Sequence, residues 1–149
     1  MIEIRRLKGE DIFAVAEIER LCFSSPWSEK ALEFLLKDGN AGFVAVCDGI
    51  VAAYGGIACV LDEGQILNVA THPNYRRLGL AKAIMDAIDL YSTENGISFL
   101  SLEVRESNMA ARSLYTSCGW NDAGIRKGFY SKPVENAVVM IKAFNLKGN

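Results

Sequence analysis

The stretch that decides the fold reads NVATHPNYRRLGLAKAIMDAI, from Asn68 to Ile88. It opens as the end of a β-rich run, and from Leu80 its apolar residues Ile84, Met85 and Ile88 recur at helical spacing. Arg76, Arg77 and Gly79 stand where the strand gives way to the helix. The first turn of a helix exposes unpaired N–H groups and the positive end of the macrodipole, so arginines there conflict with the local field unless an anion joins them. Gly79 and Ala81 lack bulky side chains and let backbone amides face a ligand, and Lys82 adds charge near the same turn. Converging N–H groups of this kind suit a pyrophosphate. The plainer alternative is a solvated basic helix start with a glycine for tight packing.

Upstream, residues 42–71 carry β-rich runs separated by Asp48-Gly49, a strong hairpin signal, and by a second turn at Asp62-Glu63-Gly64. Three antiparallel strands follow, with Gly55-Gly56 marking a bulge or a close backbone approach. Downstream, a helix over about 78–94 stops at Asn95-Gly96, and ISFLSLEV (97–104) reads as a buried strand. Strand, helix, strand implies a parallel pair joined by a right-handed crossover. A short helix runs from Ser107 or Asn108 to Gly119, and strands at about 123–130 and 135–144 flank the turn SKPVEN. At the N-terminus, IEIRRL (2–7) alternates as a strand, and Ile12, Val15, Ala16, Ile18, Leu21 and Cys22 give a helical stripe. Ser28 is a good N-cap for a second helix over about 29–37, with Trp27 stapling onto Leu32 and Gly39 as the stop. The class is therefore α/β, a mixed, mostly antiparallel sheet with one parallel β-α-β crossover, flanked by helices. With no repeats or linker-like tracts, residues 1–149 are expected to form one domain.

Half of the residues are apolar and 23% are charged, which suits a compact fold. Lys and Arg number 16 against 18 Asp and Glu, a formal charge of -2 that argues against nucleic-acid binding on a broad basic face. MIEIRRLKGED has no apolar centre of the signal-peptide kind, and no apolar run approaches the roughly 20 residues of a membrane span, so the expected location is cytoplasmic. Cys22, Cys47, Cys59 and Cys118 are scattered, without a C-x-x-C pair and with His72 the single histidine, so they read as reduced core thiols and no metal is expected. Cys118 as a nucleophile would have only His72 for a partner, and the plainer reading is a small residue at a helix end.

A glycine-rich turn followed by an acid also occurs in dinucleotide folds, with Glu103 as the acid, but one glycine stands here where that motif has three. The pattern R-x-x-G-x-A from Arg76 to Ala81, the run LEVRESNMAARSLYTSCGW from Leu102 to Trp120, and Pro26-Trp27-Ser28 resemble the GNAT superfamily of acetyl-CoA-dependent N-acetyltransferases. More narrowly, they resemble its ribosomal-protein-alanine N-acetyltransferase group, in matching order from Ile4 to Ile141. The resemblance implies that Val69, Ala70 and Thr71 line the acetyl and pantetheine arm of acetyl-CoA. It implies that Arg77, Leu78, Gly79, Leu80, Ala81 and Lys82 cradle the pyrophosphate, with Arg76 a weaker participant, and that Asn108 hydrogen-bonds the cofactor. Glu103 and Tyr115 match the family's general base and general acid.

The chemistry agrees with those roles. A thioester is attacked by a neutral amine, so a carboxylate at a strand end can take the amine's proton while a phenol protonates the leaving thiolate. Asn108, Ala111 and Tyr115 stand at i, i+3 and i+7 and share one helix face. Glu103 paired with Arg105 or Arg112, Tyr115 as a core residue, Asn108 as a plain N-cap and His72 as a turn residue are the bland counterparts. The implied acceptor is the N-terminal alanine of a small-subunit ribosomal protein, held between the Trp27 loop and the last hairpin. Phe129-Tyr130 stands where a tyrosine pair is expected, and Glu135-Asn136 where Glu-Asp is expected. These departures leave a lysine side chain or a small amine as alternative acceptors, and a non-catalytic acyl-CoA-binding domain as a third reading.

Overall fold

A computed structural model describes residues 1–144. Seven strands form a single sheet: β1 (Ile2–Arg6), β2 (Asn40–Cys47), β3 (Ile50–Val60), β4 (Glu63–Thr71), β5 (Phe99–Arg105), β6 (Asn121–Tyr130) and β7 (Glu135–Ala143). Their spatial order is β1-β2-β3-β4-β5-β7-β6, and only β4 and β5 run parallel. Helix α1 (Ile12–Cys22) and the short α2 (Glu29–Leu32) cover one face; α3 (Leu80–Glu94) and α4 (Met109–Ser117) cover the other.

The expected meander is present, with adjustments at its turns. Asp48 and Gly49 both take positive φ, as a two-residue hairpin turn requires. The second turn sits earlier than Asp62-Glu63-Gly64: Leu61 adopts φ +58° and Glu63 already belongs to β4. The helix expected over 29–37 is α-helical only through Leu32 and continues as a tighter 3-10 turn over Glu33–Leu36, although Ser28 Oγ does accept the Ala31 N–H at 3.1 Å. Helix α3 begins at Leu80 rather than Leu78, because Gly79 caps it in the left-handed conformation. In α1, Leu21 is exposed and Glu19 is fully buried. At 100° per residue Glu19 lies within about 20° of Ile12, while Leu21 lies about opposite, so the stripe runs through the carboxylate.

Two packing cores result. The α3/α4 face buries Ile57, Ile84, Met85, Ile88, Leu100, Leu102, Tyr115 and Met140 in one cluster, and the α1/α2 face buries Val15, Ile18, Leu32, Val44, Tyr54 and Ala70 in another. Gly55 and Gly56 are both bulge and contact. The β3–β4 register shifts after Gly56, leaving Leu67 as the extra residue on β4. A Cβ at Gly55 would lie 2.5 Å from Ile84 Cγ2, and one at Gly56 would lie 2.7 Å from Leu35 Cδ2, so helices press on both faces of the same strand.

The parallel ladder is brief. Glu63, Gly64 and Gln65 pair with Phe99, Leu100 and Ser101, and beyond them β4 continues to Thr71 and β5 to Arg105 without pairing to each other. The sheet therefore opens between the C-terminal halves of these strands. Gly55→Ala is expected to lower stability by about 1–3 kcal/mol through overpacking against Ile84; an unchanged urea midpoint would show that α3 does not approach β3 this closely.

Candidate active site

The opening between β4 and β5 leads into a cleft of about 460 Å³ on the α3/α4 side. Its walls are the end of β4 (Val69, Ala70, Thr71), the start of α3 (Arg77, Gly79, Leu80, Ala81, Lys82) and one face of α4 (Asn108, Ala111, Tyr115). Eleven of the twelve site residues named from the sequence can thus be placed around the opening: the ten that line the cleft with Tyr115 and Asn108 among them, and Glu103 beyond it. Leu78 is the exception, an exposed side chain outside the lining. Cys22 and Phe23, from the end of α1, and Tyr75, Ala110 and Leu114 also line the cleft. Of these, Ala110 and Leu114 share the helix of Tyr115, while nothing in the sequence placed Cys22, Phe23 or Tyr75 at the cleft.

The start of α3 is built for an anion. Arg77 and Gly79 both have positive φ, 67° and 75°. Among the described residues no side chain caps the helix, no acid stands in its first turn, and the first N–H with a partner is that of Ala83, donating to Gly79 O at 3.1 Å. The N–H groups of Leu80, Ala81 and Lys82 are left for a ligand. Space at Gly79 is open, so glycine is required there by its backbone angle and not by crowding. His72 accepts the Asn74 N–H on Nδ1 at 3.1 Å and is a turn residue.

Asn108 is the N-cap of α4, its Oδ1 accepting the Ala111 N–H at 3.1 Å. Among the described residues its Nδ2 amide hydrogens have no partner, and they stand beside the cleft. Tyr115, 7% exposed, packs with Trp120 at 6.1 Å between ring centroids. Burial, with smaller contributions from Tyr130 and Cys118, pushes its hydroxyl up to about 12, so it stays a proton donor throughout the neutral range.

Glu103 stands on the other side of the sheet. On β5, Leu100, Leu102 and Val104 join the cluster that contains Tyr115, so the alternating side chain of Glu103 projects from the opposite face. Its Oε1 accepts from Gln65 Nε2 at 3.1 Å and its Oε2 pairs with Arg126 Nε at 3.3 Å. Neither Arg105 nor Arg112 is its partner: Arg105 pairs with Glu135 at 3.2 Å, and Arg112 with Asp122 at 3.4 Å. Two donors leave a carboxylate with lone pairs to spare, so Glu103 can still accept a proton.

The residues that depart from the expected motif have structural work. Two extra residues bulge from β6 between Arg126 and Tyr130, and Asn136 Oδ1 holds this bulge by accepting the Gly128 N–H at 2.9 Å. Asn136 Nδ2 turns to Glu106 Oε1 at 3.4 Å, a contact in which an aspartate would oppose like charge. Phe129 meets Tyr130 edge-on at 5.0 Å, with Arg126 near one ring and Arg105 4.5 Å over the other. Glu135 bridges Arg105 and the Ser107 N–H, and those hydrogen bonds, Ser107's first, hold its carboxyl below the usual range.

The sequence profile of the acetyltransferase (GNAT) family matches residues 12–120. The chain belongs to the GNAT acetyltransferase family. It is an acetyl-CoA-dependent N-acetyltransferase. A relative from Bacillus subtilis is 37% identical over 144 residues, covering 95% of each chain. The ribosomal protein bS18-alanine N-acetyltransferase of Escherichia coli strain K12 is 35% identical over 142 residues, covering 94% of this chain and 96% of its own. The crystal structure of the ribosomal-protein-S18-alanine N-acetyltransferase from Escherichia coli superposes with a TM-score of 0.90, at 34% identity, over 96% of this chain and 94% of that one. Among the described residues of this GNAT protein no helix is long and apolar enough to cross a membrane.

Replacing Asn108 tests its duty as a cap. Asn108→Asp keeps the capping oxygen and is expected to preserve the melting temperature, whereas Asn108→Ala should cost about 1 kcal/mol; equal melting of the two variants would deny the cap.

Proposed function

We propose that this single-domain GNAT enzyme acetylates the N-terminal amine of a protein, and that the acceptor is the N-terminal alanine of ribosomal protein bS18. The observation that carries the reading is the two-sided opening in the sheet, with the anion-binding turn and Tyr115 on one side and Glu103 on the other. It is joined by full-length relatives that are named for this activity. The pyrophosphate of acetyl-CoA lies on the N–H groups of Leu80, Ala81 and Lys82, with Arg77 and, more weakly, Arg76 neutralising it. The acyl arm runs along Val69, Ala70 and Thr71 toward the opening, and the amide of Asn108 binds the donor from α4.

Donor and acceptor meet at the opening from opposite faces of the sheet. The amine nitrogen forms the new C–N bond at the acyl carbon as the C–S bond breaks. Glu103, directly or through a water, takes the amine's proton, and the Tyr115 hydroxyl gives its proton to the departing thiolate. The attack is direct, with no acyl-enzyme: among the described residues the thiol that lines the cleft, Cys22, donates to the Thr71 carbonyl at 3.3 Å, and no histidine or carboxylate lines the cleft to take its proton. The reaction is sequential and stays within the cytoplasm.

Tyr115→Phe is expected to lower kcat by about 100-fold with little change in acetyl-CoA affinity, and Glu103→Gln to lower kcat/KM on a similar scale. Because burial pushes the Tyr115 hydroxyl up to about 12, its proton is kept, and no basic limb from it should appear in kcat below about pH 10. Mass gain on two peptides tests the acceptor: one has a free N-terminal alanine and no lysine, the other is N-blocked with one lysine. Acetylation of the first alone supports the proposal, and acetylation of the lysine peptide alone overturns it in favour of a side-chain acceptor.

A further inference from the structure

Three polar side chains are buried among the described residues: Asp11, Glu19 and Ser92. Asp11 is matched by Arg5 at 2.8 Å, and Ser92 Oγ donates to Ile88 O at 2.7 Å. Glu19 is 0% exposed, and among the described residues no cation pairs with it. A carboxylate removed from water needs donors in place of solvent. Glu19 receives them from three elements: its Oε1 accepts the Trp27 N–H at 2.8 Å, and its Oε2 accepts from the Tyr54 hydroxyl and, at 2.8 Å, from Asn68 Nδ2. Burial and the charge of Glu19 push the Tyr54 hydroxyl far above its ordinary range, so it remains a donor at any working pH.

These donors converge on the place where the two substrates would meet. Asn68 precedes Val69 on β4, Tyr54 faces Ala70 across the β3–β4 ladder, and Trp27 belongs to the loop that follows the cleft residues Cys22 and Phe23. Trp27 packs with the α1/α2 core, on the sheet face from which Glu103 projects. We propose that Glu19 is a positioning residue for the acceptor: it fixes the loop at Trp27 against β4, so that the acceptor's path to the opening is registered on the strand that lines the donor. The claim rests on the acetyl-transfer reading above and adds a residue that does not touch the reacting atoms.

The loop, not the strand, depends on this carboxylate. Asn68 and Tyr54 are also held by ladder pairing, opposite Gly56 and Ala70 respectively. Trp27 N–H to Glu19 is the loop's one hydrogen bond to a side chain of another element, among the described residues. Glutamine would keep an acceptor for the Trp27 N–H, with its amide turned toward the Tyr54 hydroxyl, which also accepts, and a flipped Asn68 amide; leucine keeps the volume and removes the loop's acceptor.

The test compares wild type with Glu19→Leu, using whichever peptide the wild type acetylates. The expected result is a KM for the peptide raised about tenfold, an acetyl-CoA Kd within about twofold, and stronger acrylamide quenching of Trp27, since Trp120 is 2% exposed and out of the quencher's reach. If that variant fails to fold, Glu19→Asp, which keeps the charge and shortens its reach, should show the same split. Unchanged quenching and KM would overturn the proposal, as would a KM and an acetyl-CoA Kd that rise together. If the wild type acetylates neither peptide, the acceptor reading fails; unchanged quenching in the variant overturns the fixing of the loop independently of it.

Discussion

The structure depends on a backbone disagreement between two neighbouring strands. A parallel pair inside a covered sheet ordinarily continues its ladder, because each unpaired N–H or C=O away from water is costly. Here β4 and β5 pair for three residues and then part. The antiparallel neighbours make this tolerable: β3 continues beside β4 to Thr71, and β7 accompanies β5 to Arg105, so each strand keeps one complete ladder. The inner edges of both strands are then free where a substrate's polar groups can use them. The bulge at Leu67 adds twist to β4 at the point of divergence.

Around that gap the fold divides its chemistry by face. The positive helix start, the phenol and the capping amide lie with α3 and α4, while the carboxylate, its Arg126 and Gln65 partners and the aromatic pair of the last hairpin lie elsewhere around the opening. A base and an acid that shared one wall would interact with each other. The sheet keeps the Glu103 carboxylate and the Tyr115 hydroxyl on opposite sides, so neither occupies the other's wall.

Much of this was legible in sequence because it is local. Alternation gave the strands, Asp48-Gly49 gave its hairpin, and Arg76, Arg77 and Gly79 marked the helix start, each by a rule that spans a few residues. Spacing alone assigns no role to Glu103 or Tyr115; those proposed here come from the family resemblance. What escaped was non-local or atypical. The turn at Leu61 uses a left-handed leucine, a conformation its sequence does not advertise. Glu19 escaped because its partners Trp27, Tyr54 and Asn68 come together only in the folded chain. The pairing of Glu103 with Arg126 spans two strands with β7 between them, so no neighbour rule could find it.

The outermost strand has a bearing on solubility in a crowded cell. β6 is exposed along nearly its whole length and ends the sheet, which makes its free edge a template on which another chain could add a strand. Its register breaks twice, between Asp122 and Gly124 and between Arg126 and Tyr130, and the second break carries Lys127. No long straight row of donors and acceptors remains for a second copy to match. The same bulge that sets Phe129 beside Tyr130 thus also guards this edge against self-association, and an alteration that straightened it for catalytic reasons would carry a risk of aggregation.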